Sequence, residues 1–173
     1  CNERNILVSN AAGFSNESVA ELAIGMILSV YRKIVGADAM TRFGGDRGGF
    51  LGTELNGKTL GIIGAGEIGL RVAEIAKVFR CKVLAYSRSE KSVEGLISTE
   101  EFKLMKPEAI LINTARGPVV DSEALCVALE ESEIAGAAVD VYEKEPPLDK
   151  EHILFTAPNL IMLPHIAYAT HES

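Results

Sequence analysis

Cysteine is scarce in this sequence and widely scattered. Cys1, Cys81 and Cys126 are the three cysteines in 173 residues, and no two of them have a Cys-x-x-Cys spacing. A dispersed, odd set argues against a disulfide framework and a zinc site, and it favours a reducing cytoplasm. Long apolar runs are also absent, since none approaches the roughly 20 residues that a membrane-spanning helix needs. The first residues do not resemble a signal peptide.

Positive charge is outnumbered as well. Seventeen lysines and arginines stand against 24 aspartates and glutamates, so the formal net charge is −7, and no basic cluster offsets it. The electrostatic footprint of a nucleic-acid-binding protein is therefore missing. A length of 173 residues suffices for one domain with a substantial core but is short for two.

Short apolar runs alternate with segments of helical periodicity along most of the chain. The runs predict strands at residues 6–8, 59–63, 82–86, 109–113, 135–141 and 160–163. The periodic segments predict helices at 18–35, 67–79 and 122–131 and a short helix after Ser98, while the glycine-rich stretch 44–57 predicts a loop. This alternation is typical of an α/β fold with a parallel sheet covered by helices on both faces.

Capping side chains mark three of the predicted helix starts. Ser18-Val-Ala-Glu21 and Ser98-Thr-Glu-Glu101 have the spacing of a capping box, in which each side chain binds a main-chain N–H of the first turn. Asp121 stands where an N-cap is expected.

A glycine-rich turn, Gly64-Ala65-Gly66-Glu67-Ile68-Gly69, joins the strand at 59–63 to the helix at 67–79. In this G-x-G-x-x-G pattern the glycines permit the tight turn, the approach of a pyrophosphate and the packing of helix on strand. Because strand, turn, helix and second strand follow in one unit, the motif predicts a doubly wound, Rossmann-type dinucleotide-binding domain over residues 1–173. Gly64, Ala65, Gly66, Glu67 and Ile68 would contact the cofactor. A glycine turn without a ligand is the alternative.

The residues after the second strand bear on the choice of cofactor. An Asp or Glu there would bind the ribose 2′-hydroxyl of NAD(H), but this chain has Ser87, Arg88 and Ser89. A guanidinium and two hydroxyls suit a 2′-phosphate, which favours NADP(H) and leaves NAD(H) open. A solvated loop arginine is the alternative interpretation of Arg88.

Polar residues follow three further predicted strands. Arg116 comes after the strand at 109–113, Asp140 lies at the end of the next strand with Glu145 just beyond it, and His165 follows the last strand. Ligands of open α/β sheets bind beyond the carboxyl ends of the strands, so these side chains are candidates for a site. Taken singly, each could also be a structural or solvated loop residue.

Four segments resemble the successive signatures of the D-isomer-specific 2-hydroxyacid dehydrogenases, which include glyoxylate/hydroxypyruvate reductases and phosphoglycerate dehydrogenases. They are Gly64-Ala-Gly-Glu-Ile-Gly69, Asn113-Thr-Ala-Arg-Gly117, Asp140-Val-Tyr-Glu-Lys-Glu-Pro146 and Pro164-His165. The resemblance extends in order over nearly the whole chain. It implies an oxidoreductase that reduces a 2-oxo acid to a D-2-hydroxy acid with NAD(P)H, and the reverse.

The resemblance also implies roles for single residues. His165 would be the proton donor, Glu145 would bind its other ring nitrogen, and Arg116 would hold the substrate's carboxylate and carbonyl oxygen. Asp140 would contact the nicotinamide carboxamide. Thr114, Ala115, Arg116 and His165 would also line the cofactor. A dinucleotide-sensing, corepressor-like binding module without turnover is the alternative function.

Two departures from the family stand out. Family members have a substrate domain that is absent here, so we expect the 173 residues to bind cofactor but to be inactive alone. A strand–helix–strand stretch of roughly 30 residues is also missing, which predicts a deletion or gap between about 89 and 95. Losing a central strand would leave unpaired main-chain groups, each costing on the order of 1–3 kcal/mol if buried.

One partner prediction comes from the helix at 18–35. Its surface is largely apolar, and in the family it packs on a second cofactor domain, so a homodimer is expected. Burial within its own domain is the alternative. No nucleic acid or membrane partner is expected.

Overall fold

The structure is a computed structural model that describes residues 2–4, 6–7, 9, 11–46, 48–86, 96–145 and 147–172. Its helices are α1 (Asn16–Tyr31), α2 (Ile34–Arg42), α3 (Glu67–Val78), α4 (Thr99–Lys103) and α5 (Ser122–Glu130). Its strands are β1 (Thr59–Ile63), β2 (Lys82–Tyr86), β3 (Ile110–Asn113), β4 (Gly136–Val139) and β5 (Leu160–Met162). Short 3-10 turns lie at Asn2–Arg4, Gly117–Val119 and Ile153–Phe155.

All strand pairs are parallel, but the strands form two sheets. One sheet is β1–β2 and the other is β3–β4–β5, and within the described residues β1 and β3 are not paired. The registers align the strand ends, since Ile63 lies opposite Tyr86, and Asn113 and Met162 both lie opposite Val139. Residues that follow these strands therefore emerge together at the carboxyl edge of each sheet.

Two apolar clusters lie on the two faces of β3. Leu111 packs into a core built mainly from α4, α5, β4 and the last 3-10 turn, while Ile110 and Ile112 pack on α1 and α3. This division follows from the alternation of side chains along a strand. The helices thus cover both faces of the three-stranded sheet, as the doubly wound fold class predicts.

Among the residues that the structure describes, only one face of the two-stranded sheet is covered. Leu60, Ile62 and Val83 pack against the α1–α3 cluster, whereas Leu84 is 66% exposed and Ile63 and Tyr86 are more than half exposed. The prediction of helices on both faces is therefore wrong for β1 and β2. The uncovered face and the separation of β1 from β3 both match what the loss of a strand–helix–strand segment between them would leave.

The long helix predicted at 18–35 is in fact two helices. It begins two residues early, with Ser15 as N-cap, and no side chain caps it, so the predicted Ser18 capping box is wrong. The break falls at Lys33, whose φ of 52° is left-handed. Apolar spacing continues across the break, but Ile34 and Val35 are at least half exposed because no core lies beneath them.

The other predicted elements agree with the structure to within a few residues, apart from the first strand. Ile6 and Leu7 have no regular structure, and Leu7 is fully exposed, because no described strand lies beside them to pair with; Val8 is outside the described residues. The Ser98 capping box is confirmed, since the Ser98 N–H donates to Glu101 Oε2 at 2.9 Å. Among the described residues no helix has both the length and the apolarity to cross a bilayer.

Candidate functional site

The glycine turn has the geometry that phosphate binding requires. Gly64 has a φ of +101°, and its N–H donates to Tyr86 O at 2.8 Å, which ties the turn to the end of β2. Gly66 is the N-cap of α3 and has no side chain with which to cap it, so among the described residues the first N–H groups of the helix stay available to an anion. A Cβ at Gly66 would meet no other atom, so the surface beside it is open.

Gly69 packs the helix on the strand as predicted. A Cβ at this position would overlap the main chain of Gly64 and lie 3.2 Å from Ile62 Cγ2. Ile68 packs into the α1–α3 cluster, and the Glu67 carboxylate accepts a 2.7 Å hydrogen bond from Asn16 of α1. The side chains at this helix start therefore point into the domain or along α1, and the main chain faces the open surface beside Gly66.

The residues that bear on cofactor choice lie outside the described part of the chain. Ser87, Arg88 and Ser89 directly follow Tyr86, the last residue of β2. Their position in sequence is the one predicted, and the preference for NADP(H) stays a prediction.

Asn113 shapes the turn that follows β3. Its side-chain oxygen accepts from Ala115 N at 3.1 Å, and its amide nitrogen donates to Arg116 O at 3.0 Å. Arg116 itself is exposed, and its Nη1 donates to Ala115 O. The turn also packs tightly, because a Cβ on Gly117 would overlap the main chain of Tyr142. Thr114 and Ala115 lie on this turn at the carboxyl edge, as predicted.

His165 and Glu145 meet at the end of the three-stranded sheet. His165 Nδ1 lies 2.7 Å from Glu145 Oε2, although 20 residues separate the two in sequence. The imidazole is 34% exposed, and the Tyr168 ring lies edge-on to it at 5.9 Å between centroids. This arrangement leaves Nε2 as the ring nitrogen that can face a substrate.

Asp140 lies beneath this pair and is fully buried. Its two carboxylate oxygens accept hydrogen bonds from the main-chain N–H groups of Ile166 at 2.9 Å and Ala167 at 2.8 Å. Its own N–H donates to Asn113 O at 3.0 Å, which continues the pairing of β4 with β3.

Tyr142 connects the segment after β4 to the residues before His165. The ring is 4% exposed, and its hydroxyl donates to Leu163 O at 2.8 Å. Burial raises the pKa of Tyr142 to about 12, and the charges of the Asp140 and Glu145 carboxylates add to this rise.

The structure thus brings together His165, Glu145 and Asp140, and it places Arg116 on the adjoining strand end. Of the described contacts of Arg116, none is a hydrogen bond or ion pair to the other three. Sequence reasoning missed the roles of Asn113 and Tyr142, and the signal it could have used was a polar side chain at or shortly after the end of an apolar strand. His171 is exposed, whereas His152 is half-buried, accepts a hydrogen bond from Leu154 N and meets the Tyr142 ring edge-on.

Comparison with known proteins shows which family this chain matches. The model of the D-isomer specific 2-hydroxyacid dehydrogenase NAD-binding domain matches residues 24–95 and 89–167. A glyoxylate reductase of Thermococcus litoralis is 40% identical over 211 aligned positions, which cover 99% of this chain and 63% of that enzyme. This chain therefore spans less than two thirds of the length of that relative.

Two solved structures share the fold over nearly the whole chain. A D-lactate dehydrogenase from Lactobacillus jensenii with NAD+ has a TM-score of 0.85 and 30% identity, covering 99% of this chain and 65% of its own. An NADPH-dependent glyoxylate/hydroxypyruvate reductase from Sinorhizobium meliloti has a TM-score of 0.85 and 29% identity, covering 97% of this chain and 62% of its own.

Proposed function

Because the chain belongs to the D-isomer specific 2-hydroxyacid dehydrogenase family, through its NAD-binding domain, we propose that it is the cofactor half of a 2-oxoacid reductase. The reaction is the NAD(P)H-dependent reduction of a 2-oxo acid to a D-2-hydroxy acid, and the reverse. The observation that carries the proposal is the 2.7 Å pair of His165 with Glu145 at the carboxyl ends of the strands. Neither the described residues nor these relatives favour a corepressor-like module.

The residues of the chain divide the chemistry between them. The bound dinucleotide supplies the hydride, and the Gly64–Gly69 turn would hold its pyrophosphate. Reduction builds negative charge on the carbonyl oxygen, and His165 Nε2 donates the proton that neutralises it. Glu145 at Nδ1 fixes the ring and stabilises the imidazolium before transfer. The exposed Arg116 guanidinium binds the substrate carboxylate and adds a fixed positive charge near the oxyanion.

Turnover by single-residue variants tests this assignment. Because this chain spans less than two thirds of the length of its relatives, the assay uses the protein in a form of the relatives' full length, with glyoxylate or hydroxypyruvate and NADPH. Replacing His165 with Gln should lower kcat by roughly 10²–10⁴-fold, whereas the exposed His171→Gln should leave it unchanged. Full activity of the His165 variant would refute the assignment.

For the cofactor we propose a preference for NADP(H), with Ser87, Arg88 and Ser89 at the 2′-phosphate. Support comes from the sequence position after β2 and from the absence of a carboxylate there. Relatives divide on this point, one being described with NAD+ and another as NADPH-dependent. The 173-residue chain should therefore be titrated with NADPH and NADH, before and after Arg88→Ala. Arg42→Ala on α2 is the matched control, and unchanged NADPH affinity in Arg88→Ala would reject the proposal.

We further propose that a strand–helix–strand segment is missing between about residues 89 and 95. Three observations support this: the two family-model matches meet at 89–95, 211 aligned positions correspond to only 173 residues, and β1 and β3 lie in separate sheets. A proteolytic peptide running from Tyr86 to Ile97 with the mass of the printed sequence would indicate a deletion in the protein, and additional residues in that peptide would indicate a gap in the sequence. Inserting the corresponding residues of the Thermococcus litoralis enzyme should raise the unfolding midpoint; an unchanged midpoint would count against the proposal.

The homodimer stays a proposal, but its expected surface changes. The apolar residues of α1 are largely buried within the domain. Exposed apolar side chains instead cluster on and after α2, a surface that we call the α2 patch: Ile34, Val35, Met40, Phe43 and Leu51. If a dimer buries this patch, Phe43→Ser should dissociate it into monomers. Leu104→Ser, which changes an exposed leucine outside the patch, should leave the dimer intact, and light scattering measures the molar mass of both variants. A cytoplasmic location, expected from the isolated cysteines, also stays a prediction.

A further inference from the structure

The turn that carries His165 has an unusual main chain. His165 has a φ of +60°, a left-handed conformation that residues other than glycine rarely adopt. Such a conformation persists only where the surroundings hold it in place. The residues that follow it, Ile166 and Ala167, point their N–H groups at one side chain, that of Asp140.

The Asp140 carboxylate is committed to this turn on both oxygens. The distances are 2.9 Å from Ile166 N and 2.8 Å from Ala167 N, and Asp140 has no exposed surface. Hydrogen bonds from N–H groups to a buried carboxylate are charge-assisted and stronger than those between neutral groups. The pairing of β4 with β3 fixes the position of Asp140 itself, so the turn is held from a rigid strand end.

Asn113 does the same for the neighbouring turn. Its buried amide holds Ala115 N and Arg116 O, just as Asp140 holds the two residues after His165. Two successive strand ends thus each carry a buried polar side chain that binds the main chain of a turn and leaves the functional side chain outside.

We propose that Asp140 is a positioning residue, whose buried carboxylate fixes the left-handed turn that directs the His165 imidazole to Glu145. This assignment differs from the carboxamide contact that family resemblance implies, because the carboxylate faces the main chain and not the open edge. The proposal rests on the proposed function only for the consequence that His165 is the proton donor.

Amide hydrogen exchange tests the proposal on the 173-residue chain without any turnover. In the wild type, the Ile166 and Ala167 amides should be protected, and rapid exchange at both would overturn the proposal directly. Asp140→Asn offers one carbonyl oxygen in place of two carboxylate oxygens. It should therefore raise exchange at one or both amides on the order of 10- to 100-fold. Asp149→Asn is the matched control, since Asp149 is an exposed carboxylate paired with Lys144 after the same strand.

A second measurement separates positioning from general stabilisation. Glu145→Gln should shift the NMR signals of the His165 ring in the wild-type background. It should have little effect in the Asp140→Asn background, because the turn there no longer holds His165 against Glu145. If the coupling survives in a variant of lower unfolding midpoint, Asp140 is merely structural and the proposal is wrong. If exchange is unchanged and only NADPH affinity falls, Asp140 is a cofactor ligand. Failure of the reductase assay alone would reject the proposed function and leave this result standing.

Discussion

The buried hydroxyl of Tyr142 allows a quantitative prediction for alkaline stability. Burial raises its pKa to about 12 in the folded chain, against about 10 for an unfolded tyrosine. The hydroxyl is therefore protonated in the folded state over a range where the unfolded chain is already ionised. The contribution of the Tyr142 hydroxyl to the free energy of unfolding is fully present below pH 10 and is lost as the pH rises towards 12.

The magnitude follows from the size of the shift. Each pKa unit corresponds to about 1.4 kcal/mol, so a rise of about two units amounts to about 3 kcal/mol, roughly half of it lost by pH 11. Tyr142→Phe removes this ionisation together with the hydrogen bond to Leu163 O. At pH 8 we expect the variant to be less stable than the wild type by about 1 kcal/mol, the typical net value of such a bond. By pH 11 the difference should vanish or reverse.

Urea unfolding at pH 8 and pH 11, followed by circular dichroism, measures this difference. The buried Cys126 thiol and Tyr31, whose pKa values burial also raises, titrate in both proteins and cancel in the comparison. A tyrosinate absorbance titration of the same pair should lose its highest step in the variant. A stability difference that stays constant from pH 8 to pH 11 would show that Tyr142 ionises normally and would refute the reasoning.

Further predictions concern local packing. Gly69→Ala should destabilise the chain by about 1–3 kcal/mol or more and abolish dinucleotide binding, because its Cβ would overlap the main chain of Gly64. Gly61→Ala is the control, since a Cβ there meets no other atom. Equal urea unfolding midpoints for the two variants would contradict the prediction. Gly117→Ala should push the turn that carries Arg116 away from Tyr142, because the new Cβ would overlap the Tyr142 main chain. The melting temperature should fall as a result. Ser98→Ala should cost about 1 kcal/mol in urea unfolding through loss of the capping box, and no loss would indicate that Glu101 alone caps α4.

Most elements that depend on local sequence could be predicted well, although the Ser18 capping box could not. The Ser98 box, the Asp121 N-cap and the glycine turn need only residues within one turn of each other, and the structure has all three. The pair of His165 with Glu145 was reached through family resemblance, because nothing local indicates a contact across 20 residues.

Features that depend on distant neighbours could not be predicted from pattern. Val30 and Ile34 keep helical spacing across the break at Lys33, and only the lack of a core beneath Ile34 distinguishes the two sides. A polar residue at a strand end can face the open edge or the protein interior. Asp140 faces inward because its partners, Ile166 and Ala167, lie 26 and 27 residues further on.

The half of the site that we propose to donate the proton depends little on the segment that we propose to be missing. The bonds that hold the Arg116 turn, Asp140, Tyr142 and the His165–Glu145 pair all lie within the three-stranded sheet and the turns that follow its strands. The glycine turn lies instead on the two-stranded sheet, which joins the rest through α1 and α3 and has one bare face. The loss of a segment between β1 and β3 would therefore weaken the support of the Gly64–Gly69 turn and leave the imidazole in place. We accordingly expect that loss of this segment lowers the affinity for the dinucleotide and leaves the geometry of the His165–Glu145 pair unchanged.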